Sequence, residues 1–437
     1  MMKKLFLPVI MSLGIIAAPG YAMAADAVDT GNNTWILMCA ALVMLMTPGL
    51  AFFYAGMVSR KNVVSTLLQN YVALAIVGLL WVTVGYSLAF GEGNQWIGDF
   101  SMVMLNGVSG GASADGVPNM SFMAFQMMFA CITPALITGA IAERVHFSGW
   151  IIFMALWSLF VYVPVAHWVW GANGWILAHG GLDFAGGLVV HLTAGVAGLI
   201  AALLYGKRSA TPQKSRPNDV SMIMMGAGLL WFGWFGFNAG SALSAGHLAS
   251  HAFVTTFVGA SAAFLSWMAV DWIKDKKPSA VGAAIGLVVG LVTITPAAGF
   301  VSVGHAILMC AVSGVVCNLF AAYIKNKTHL DDALDVFACH GIGGALGAIM
   351  TGLFASKAVN SAIAHEGILI SGETELFIAN LTGLGAVAAY TAIVTFILIK
   401  IIGVITPIRV TEEEESAGLD TTVHGEVARF HDRRTYE

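Results

Sequence analysis

The sequence predicts an all-α membrane protein that crosses the bilayer eleven times. Of its 437 residues, 58% are hydrophobic and only 10% are charged, whereas a soluble domain carries roughly 25% charged residues. Eleven apolar stretches reach the length of about 20 residues that a helix needs to cross a bilayer. The 50 glycines suit close helix packing in lipid, and a net charge of −4 gives no indication of a nucleic-acid partner.

The N-terminal segment has the features of a cleavable signal peptide over residues 1–24. Lys3 and Lys4 form a basic start, an apolar run follows, and a cleavage site of the A-x-A type ends at Ala24. A retained first transmembrane helix is the alternative, although the proline and glycine near the end of the run favour cleavage. Cleavage would leave the mature N-terminus outside the cytoplasm, as in an inner-membrane protein of a Gram-negative-type cell.

The apolar stretches follow one another along residues 25–403, the predicted transmembrane domain. They lie near residues 35–57, 64–90, 120–141, 149–170, 186–206, 220–240, 251–272, 280–297, 302–324, 335–355 and 376–403. With the N-terminus outside, the loops assigned to the cytoplasm and the tail carry 17 lysines and arginines, whereas the outside loops carry only Lys357. Because positive charge collects on the cytoplasmic side, this bias predicts an N-terminus outside and a C-terminus inside.

The eleven helices divide into two inverted repeats of five helices and one additional C-terminal helix. The fifth stretch begins near Asp183 and carries His191, and the tenth begins with Asp335 and carries His340. These two helices would run in opposite directions, so both histidines approach the middle of the membrane from opposite faces. An imidazole in lipid is costly and normally faces a bundle interior or a pore. The pattern is typical of a transporter with its path between the repeats.

The sequence contains no motif of an enzyme. The segment HEGI at 365–368 is not the metalloprotease motif HExxH, and neither a glycine-rich phosphate loop nor a nucleophile elbow occurs. His191 and His340 lack a third ligand close in the sequence, so no metal ion or other cofactor is expected. A helix-packing role for each histidine, with its hydrogen bond satisfied, is the alternative to a role in a pore.

Nine short motifs occur in order along nearly the whole mature chain. They are FFYAGMVSRKNV at 52–63, GYSLAFGEGN at 85–94, AFQMMFACIT at 124–133, AERVHFS at 142–148, GLDFAGGLVVH at 181–191, WFGFNAGSA at 234–242, TPAAG at 295–299, DVFACHG at 335–341 and GLDTTVHGE at 418–426. Together they resemble the bacterial ammonium transporter (Amt) family of the Amt/Mep/Rh superfamily. The resemblance implies a transporter rather than an enzyme, with ammonium or ammonia as its substrate and membrane lipid around it.

The resemblance implies a vestibule in which Trp170, Phe129 and Ser241 bind the ammonium ion. A small cation is attracted to aromatic faces by about 0.5–2 kcal/mol, and a hydroxyl accepts an N–H hydrogen bond. Asp183 has two interpretations, an N-cap of the fifth span or an electrostatic partner of the ion. We expect a mainly structural role with an electrostatic contribution. Asp335 is expected to be its counterpart near the cytoplasmic exit, as a cap or a vestibule residue.

The resemblance also implies a gate followed by a pore. Phe129 and Phe237 match two stacked rings that close the path, and Phe125 is expected to line the entry one turn above. His191 and His340 match twin histidines that share a hydrogen bond, line the path of ammonia and relay the released proton. In an apolar pore a charge is penalised, so ammonium should give up its proton on entering.

Residues 404–437 form a polar and charged tail that is predicted to lie in the cytoplasm. The motif GLDTTVHGE implies that it is an ordered regulatory segment, packed under the bundle, that transmits binding of a PII signal-transduction protein. A solvated tail is the alternative, and the role of residues 427–437 is open. The resemblance also implies a homotrimer, and Thr295 is best interpreted as a pore-side or break-point hydroxyl beside a proline.

Two functions other than electrogenic ammonium transport stay open at this point. One is an electroneutral gas channel for ammonia, and the other is an ammonium sensor that transports little. The chain carries no appended signalling domain after its last span, which favours transport over sensing. The movement of charge distinguishes an ammonium transporter from a gas channel.

Overall fold

Eleven helices of 15 residues or more account for most of the chain that the structure describes. This computed structural model describes residues 28–113, 115–209 and 217–428, so the predicted signal peptide lies outside the described residues. In chain order the helices are α1 Thr30–Met57, α2 Arg60–Phe90, α3 Asn119–Ile141, α4 Phe147–Ala178, α5 Gly187–Tyr205, α6 Val220–Gly240, α7 His247–Asp275, α8 Ala280–Ile294, α9 Val303–Lys327, α10 Phe337–Phe354 and α11 Glu375–Ile405. Each helix overlaps one of the eleven predicted apolar stretches.

The lengths of these helices confirm a multi-pass membrane protein. Within the described ranges, 10 of the helices are long and apolar enough to cross a membrane. The exception is α8, whose 15 residues are fewer than the roughly 20 that a crossing requires. The all-helical architecture is therefore confirmed, whereas the eleventh crossing and the orientation in the membrane stay predictions.

Polar side chains fix where four of the helices begin. Asp29, Asp219, Ser279 and Ser302 each accept a hydrogen bond from the backbone N–H three residues further on. This bond satisfies one of the N–H groups that a helix start leaves unpaired. The helices α1, α6, α8 and α9 therefore begin at a polar residue that precedes an apolar run.

Small residues allow α1 and α6, the first helices of the two predicted repeats, to pack closely. A Cβ atom added at Gly226 would lie 2.3 Å from the backbone nitrogen of Phe53, and one added at Gly49 would lie 2.9 Å from the Leu229 Cβ atom. Both distances are shorter than normal non-bonded contacts. Glycine is therefore required at these positions, and it brings the two halves of the bundle together.

The helices α5 and α10 cross at an even closer contact beside the two histidines. A Cβ atom added at Gly195 would lie 2.0 Å from the backbone nitrogen of Gly341, and one added at Gly344 would lie 3.0 Å from the Cβ atom of His191. No side chain fits between the two backbones here. The crossing therefore places His191 and His340 next to each other.

One asparagine of α11 joins segments of both predicted repeats. The Asn380 Oδ1 atom accepts a hydrogen bond from the Leu182 backbone N–H at 2.8 Å. Its Nδ2 atom donates to the carbonyl oxygens of Leu182 at 3.3 Å and Ala348 at 3.0 Å. Leu182 precedes α5 and Ala348 belongs to α10. Because Asn380 is buried, these hydrogen bonds are protected from competition with water.

After α11 the chain folds back under the bundle as two short helices, α12 Glu412–Ala417 and α13 Leu419–Val423. The backbone N–H of Val410 donates to the Arg144 carbonyl oxygen at 3.1 Å. The Asp420 Oδ1 atom accepts a backbone N–H of α2 at 2.8 Å. We call this end of the bundle the tail end. The described part of the predicted tail is thus an ordered segment packed against the loops.

Candidate functional site

An open cavity at the end of the bundle opposite the tail end brings four sequence-predicted residues together. Trp170, Phe129, Ser241 and Asp183 all line this cavity, which we call the vestibule and which holds about 920 Å³ of open space. Its remaining walls are mainly apolar and include Phe90, Phe122, Val169, Leu177, Leu182, Phe184, Ala242, Leu243, Leu248 and Phe300. An apolar cavity with a few convergent polar groups is typical of a site for a small ligand.

Some polar groups of the vestibule already donate hydrogen bonds within the protein, and others have an oxygen atom left to accept one. The Trp170 Nε1–H group donates to the Asp183 carbonyl oxygen at 3.0 Å, so the indole offers its ring face. The Ser241 hydroxyl donates to the Phe237 carbonyl oxygen at 2.9 Å, which leaves its own oxygen free to accept a bond. Gln126 also lines the vestibule, and its buried Oε1 atom has no partner among the described residues. Sequence analysis missed Gln126, although a glutamine inside an apolar helix was the available signal.

Two phenyl rings separate the vestibule from the interior. The ring centroids of Phe129 and Phe237 are 4.3 Å apart, with the ring planes inclined by 42°, and both side chains are buried. Phe129 also meets the Trp170 ring edge-on at 5.9 Å. Phe125 lies 4.9 Å from Phe129 but does not belong to the vestibule lining. The rings of Phe129 and Phe237 therefore lie between the vestibule and the interior, whereas Phe125 contacts Phe129 outside the vestibule lining.

A narrow apolar cavity lies beyond the two rings. His191 and His340 both line it, and their Nδ1 atoms are 3.3 Å apart. The other lining residues are Met46, Leu50, Ile132, Leu136, Val190, Leu230, Trp234, Phe237 and Val288. Both histidines are buried, and the Nε2 atom of His191 has no partner among the described residues. In the part of the chain that the structure describes, this cavity thus offers imidazole nitrogens and no charged side chain.

Aromatic rings hold the first of these histidines in position. The His191 ring stacks on Trp234 at 5.3 Å and on Phe237 at 5.9 Å between centroids. The Trp234 Nε1–H group donates to the Thr295 Oγ1 atom at 2.8 Å, and the Thr295 hydroxyl donates to the Leu291 carbonyl oxygen at 2.7 Å. Thr295 therefore orients Trp234, and through it the imidazole, and does not line the cavity.

The segments that carry the two histidines begin in the same way. Each starts with a π-helical turn, Gly187–Leu192 in α5 and Phe337–Ile342 in α10, and such turns are frequent at functional sites. The Asp183 carboxylate accepts four backbone N–H bonds of 2.6, 2.7, 2.8 and 3.2 Å at the start of α5. The Asp332 carboxylate accepts two bonds of 2.7 and 3.1 Å at the start of α10.

Asp332, rather than the predicted Asp335, is thus the counterpart of Asp183. Asp183 and Asp332 both lie eight residues before a histidine, a regularity that sequence analysis overlooked. Asp335 instead has a positive φ of 60° and forms an ion pair with Lys325. The structural role predicted for Asp183 agrees with its four hydrogen bonds, which its negative charge strengthens.

Ion pairs join the loops of the tail end to one another and to the tail. Arg208 pairs with Glu143 at 2.6 Å and with Asp331 at 2.8 Å, and Arg409 pairs with Glu415 at 2.7 Å. Burial would by itself raise the pKa of Glu143 and Asp331, but Arg208 and other hydrogen-bond donors more than offset it and lower both pKa values. Both carboxylates therefore stay ionised at neutral pH and hold the arginine in place.

Comparisons with known proteins agree with this geometry. The profile of the Ammonium Transporter Family matches residues 34–429. The ammonium transporter of Bacillus subtilis is 48% identical over 400 residues, which cover 91% of this chain and 98% of that protein. The ammonium transporter of Aquifex aeolicus is 45% identical over 419 residues, or 95% and 97% of the two chains. The crystal structure of Candida albicans Mep2 has a TM-score of 0.82 at 35% identity and covers 89% and 88% of the chains. A sensor Amt protein has a TM-score of 0.83 at 27% identity and covers 90% and 98%.

Proposed function

The chain belongs to the ammonium transporter family, and we propose that it takes NH4+ into the vestibule, removes a proton and conducts NH3 past two histidines. The proton follows by a separate relay, so that ammonium is transported in net terms. One observation carries this proposal, the continuous line of side chains from the vestibule through Phe129 and Phe237 to His191 and His340.

The vestibule suits a small cation that carries N–H groups. The faces of Trp170 and Phe129 attract such an ion by about 0.5–2 kcal/mol, depending on how far it is desolvated. The oxygen atoms of Ser241 and Gln126 are free to accept N–H bonds from the same ion. Asp183 contributes negative charge to the wall while its carboxylate remains bound to the backbone. Neutral ammonia would gain no cation–π attraction, so these groups favour NH4+ over NH3.

The two phenyl rings require the ion to lose its water and its charge. The rings of Phe129 and Phe237 pack in contact, and an apolar cavity follows them. Transfer of an unpaired charge into such surroundings costs far more than transfer of a neutral molecule. NH4+ therefore dissociates at the rings into NH3 and a proton, and only NH3 enters the cavity as a free molecule.

The histidine pair supplies a route for the proton. A hydrogen bond between two Nδ1 atoms needs one donor and one acceptor, so one imidazole carries its proton on Nδ1 and the other on Nε2. A proton that binds the unpartnered Nε2 atom of His191 allows the Nδ1 proton of His191 to pass to His340 over 3.3 Å. His340 then releases its Nε2 proton, and the number of bound protons is unchanged.

We propose that the vestibule faces the outside of the cell and that the tail end faces the cytoplasm. Arg60, Lys61, Arg144, Arg208 and Arg409 lie in the tail-end loops or in the tail, which fits the positive-inside rule. In this orientation the protein lies in the inner membrane, crosses it eleven times after its signal peptide is cleaved, and has its C-terminus in the cytoplasm. Accessibility of single engineered cysteines to a membrane-impermeant reagent tests it.

A homotrimer and a cytoplasmic PII-type partner complete the proposal. The tail lies across the tail end, where Glu415 accepts a hydrogen bond from the loop after α5 and Asp420 accepts one from α2. A protein that binds this face would therefore contact the tail and the end of the path together. Native mass spectrometry should give a mass of three chains. A purified PII-type protein should be retained by the immobilised transporter, and its complete loss to the wash would contradict this part.

The transport mechanism is tested by currents from the purified protein in liposomes on a solid-supported membrane after an ammonium jump. A saturable current that potassium does not produce is expected. His191→Asp and His340→Ala should abolish the current or uncouple it from ammonia entry, which is read as a rise in internal pH. His247→Ala, which changes an exposed histidine outside the path, is the matched control and should keep the current. Unchanged currents in both path variants would contradict the relay.

Two other functions give different results in the same experiment. A rise in internal pH without any current would identify an electroneutral ammonia channel. Binding of ammonium with neither signal would identify a sensor, an alternative that the likeness to the sensor Amt protein supports. The names of the curated relatives favour a transporter over a sensor or an enzyme.

A further inference from the structure

A histidine and two glutamates meet in the loop between α10 and α11, beside the vestibule. One donor atom from each of His365, Glu373 and Glu375 lies within 4.8 Å of the others. The His365 Nδ1 atom is 3.4 Å from the Glu373 Oε2 atom. The side chains of His365 and Glu373 are 43% and 40% exposed, so an ion from solvent can reach them. None of the three lines the vestibule or the histidine cavity.

We propose that His365, Glu373 and Glu375 bind a divalent transition-metal ion, for which Zn²⁺ is the natural probe. A tetrahedral zinc ion holds nitrogen and oxygen ligands at about 2.0–2.2 Å, which sets neighbouring ligand atoms about 3.4 Å apart. The separation between His365 and Glu373 already has this value. Glu375 is exposed, so its carboxylate can rotate inward over the remaining distance, and a water molecule would occupy the fourth position.

The composition of the cluster indicates which metal it prefers. An imidazole ligand suits zinc, copper and nickel, whereas magnesium and calcium prefer oxygen ligands alone. Two carboxylates balance the charge of a divalent cation, while a protonated His365 would balance only one of them. The Glu375 carboxylate has no hydrogen-bond or ion-pair partner within the described ranges. A metal ion would relieve the repulsion between the two glutamates.

Contacts with the surrounding backbone restrain Glu373 and His365 of the cluster. The Glu366 backbone N–H donates to the Glu373 Oε2 atom at 3.2 Å, which restrains that carboxylate as outer partners of metal ligands commonly do. The His365 ring lies beside Gly180, because its Cδ2 atom is 3.9 Å from a Cβ atom built there. Residues 181 and 182 line the vestibule, and so does Asn360 of the loop between α10 and α11. A bound ion would thus stiffen the rim of the vestibule without entering the path.

The test measures zinc binding to the purified full chain after removal of metals with EDTA. Isothermal titration at neutral pH should give one Zn²⁺ per chain. The affinity should fall by about 100-fold or more in His365→Ala, because loss of an outer partner of a ligand already costs about 10–100-fold. Glu373→Gln and Glu375→Gln should weaken binding as well, whereas the control His247→Ala should match the wild type. Equal binding by all these proteins, or no saturable binding by the wild type, overturns the proposal.

A pH series separates the proposed site from non-specific binding. Metal and proton compete for the imidazole, so affinity should fall as the pH is lowered from neutral into the acidic range. An affinity that does not change over this range overturns a histidine-ligated site. Gel filtration shows whether each variant is folded. Ammonium currents recorded without zinc should be unchanged in His365→Ala, so this result does not depend on the proposed transport mechanism.

Discussion

Replacement of Gly195 by alanine should separate α5 from α10 at the histidine pair. The new methyl group would lie 2.0 Å from the backbone nitrogen of Gly341 and 2.3 Å from its Cα atom. Normal contacts begin at about 3.5 Å, so the backbones must move apart by more than about 1 Å. Overpacking typically costs about 1–3 kcal/mol, and here no side chain can rotate away. The separation of 3.3 Å between the Nδ1 atoms of His191 and His340 should then exceed a hydrogen-bond distance.

Gly385→Ala is the matched control for this change. Gly385 lies within α11, and a Cβ atom added there would meet nothing within 4 Å. Because alanine is favoured over glycine in helices by about 1 kcal/mol, the control should be at least as stable as the wild type. Gly195→Ala should unfold at a lower temperature and give a smaller ammonium current. Equal unfolding temperatures and equal currents in the two variants would refute the reasoning.

Three further predictions concern the rings, the support of Trp234 and the tail end. Phe237→Ala removes half of the barrier and should admit potassium, so a variant that still gives no potassium current would show that this ring does not set selectivity. Thr295→Val leaves the buried Trp234 N–H group without its acceptor, which should lower the free energy of unfolding by about 1–3 kcal/mol. An unchanged denaturation midpoint would contradict this prediction. The pKa values of Glu143 and Asp331 are lower in the folded protein than in the unfolded chain. Their ion pairs with Arg208 therefore stabilise the fold above about pH 4, the ordinary pKa of these carboxyl groups. This stabilisation is lost at lower pH, as the carboxylates of the folded protein become protonated. The difference in unfolding temperature between the wild type and Arg208→Gln should therefore shrink below that pH, and a constant difference would count against these ion pairs.

The helices could be predicted because the bilayer sets both their composition and their length. The apolar stretch predicted near residues 251–272 becomes His247–Asp275, which extends past it because polar helix ends are not visible in hydropathy. The stretch near 280–297 becomes Ala280–Ile294. Its shortening fits the proline at position 296, since proline has no backbone N–H group to donate the next helical hydrogen bond. Hydropathy thus locates each helix but does not define its ends.

The candidate site was predictable as a set of residues and not as a set of contacts. Trp170, Phe129 and Ser241 do meet at one cavity, which the ends of α4 and α6 and the middle of α3 line together. Helical periodicity could not show that Phe125 lies outside the vestibule lining, since residues four apart share a face whether it points to a cavity or to a neighbour. The prediction of Asp335 failed for a different reason. The spacing of eight residues that separates both Asp183 and Asp332 from a histidine was present in the sequence and was not used.

The amide of Asn380 has a mechanical consequence. A carrier that alternates between two faces must swing one half of its fold past the other in each cycle. Asn380 forms hydrogen bonds with Leu182 of one half and Ala348 of the other at the same time. Loss of a buried hydrogen bond leaves polar groups unsatisfied at a cost of about 1–3 kcal/mol. Because a swing of one half past the other would break these hydrogen bonds, we expect that ammonium, under the proposed function, passes without such a movement of the bundle. Its throughput should depend only weakly on the fluidity of the surrounding lipid.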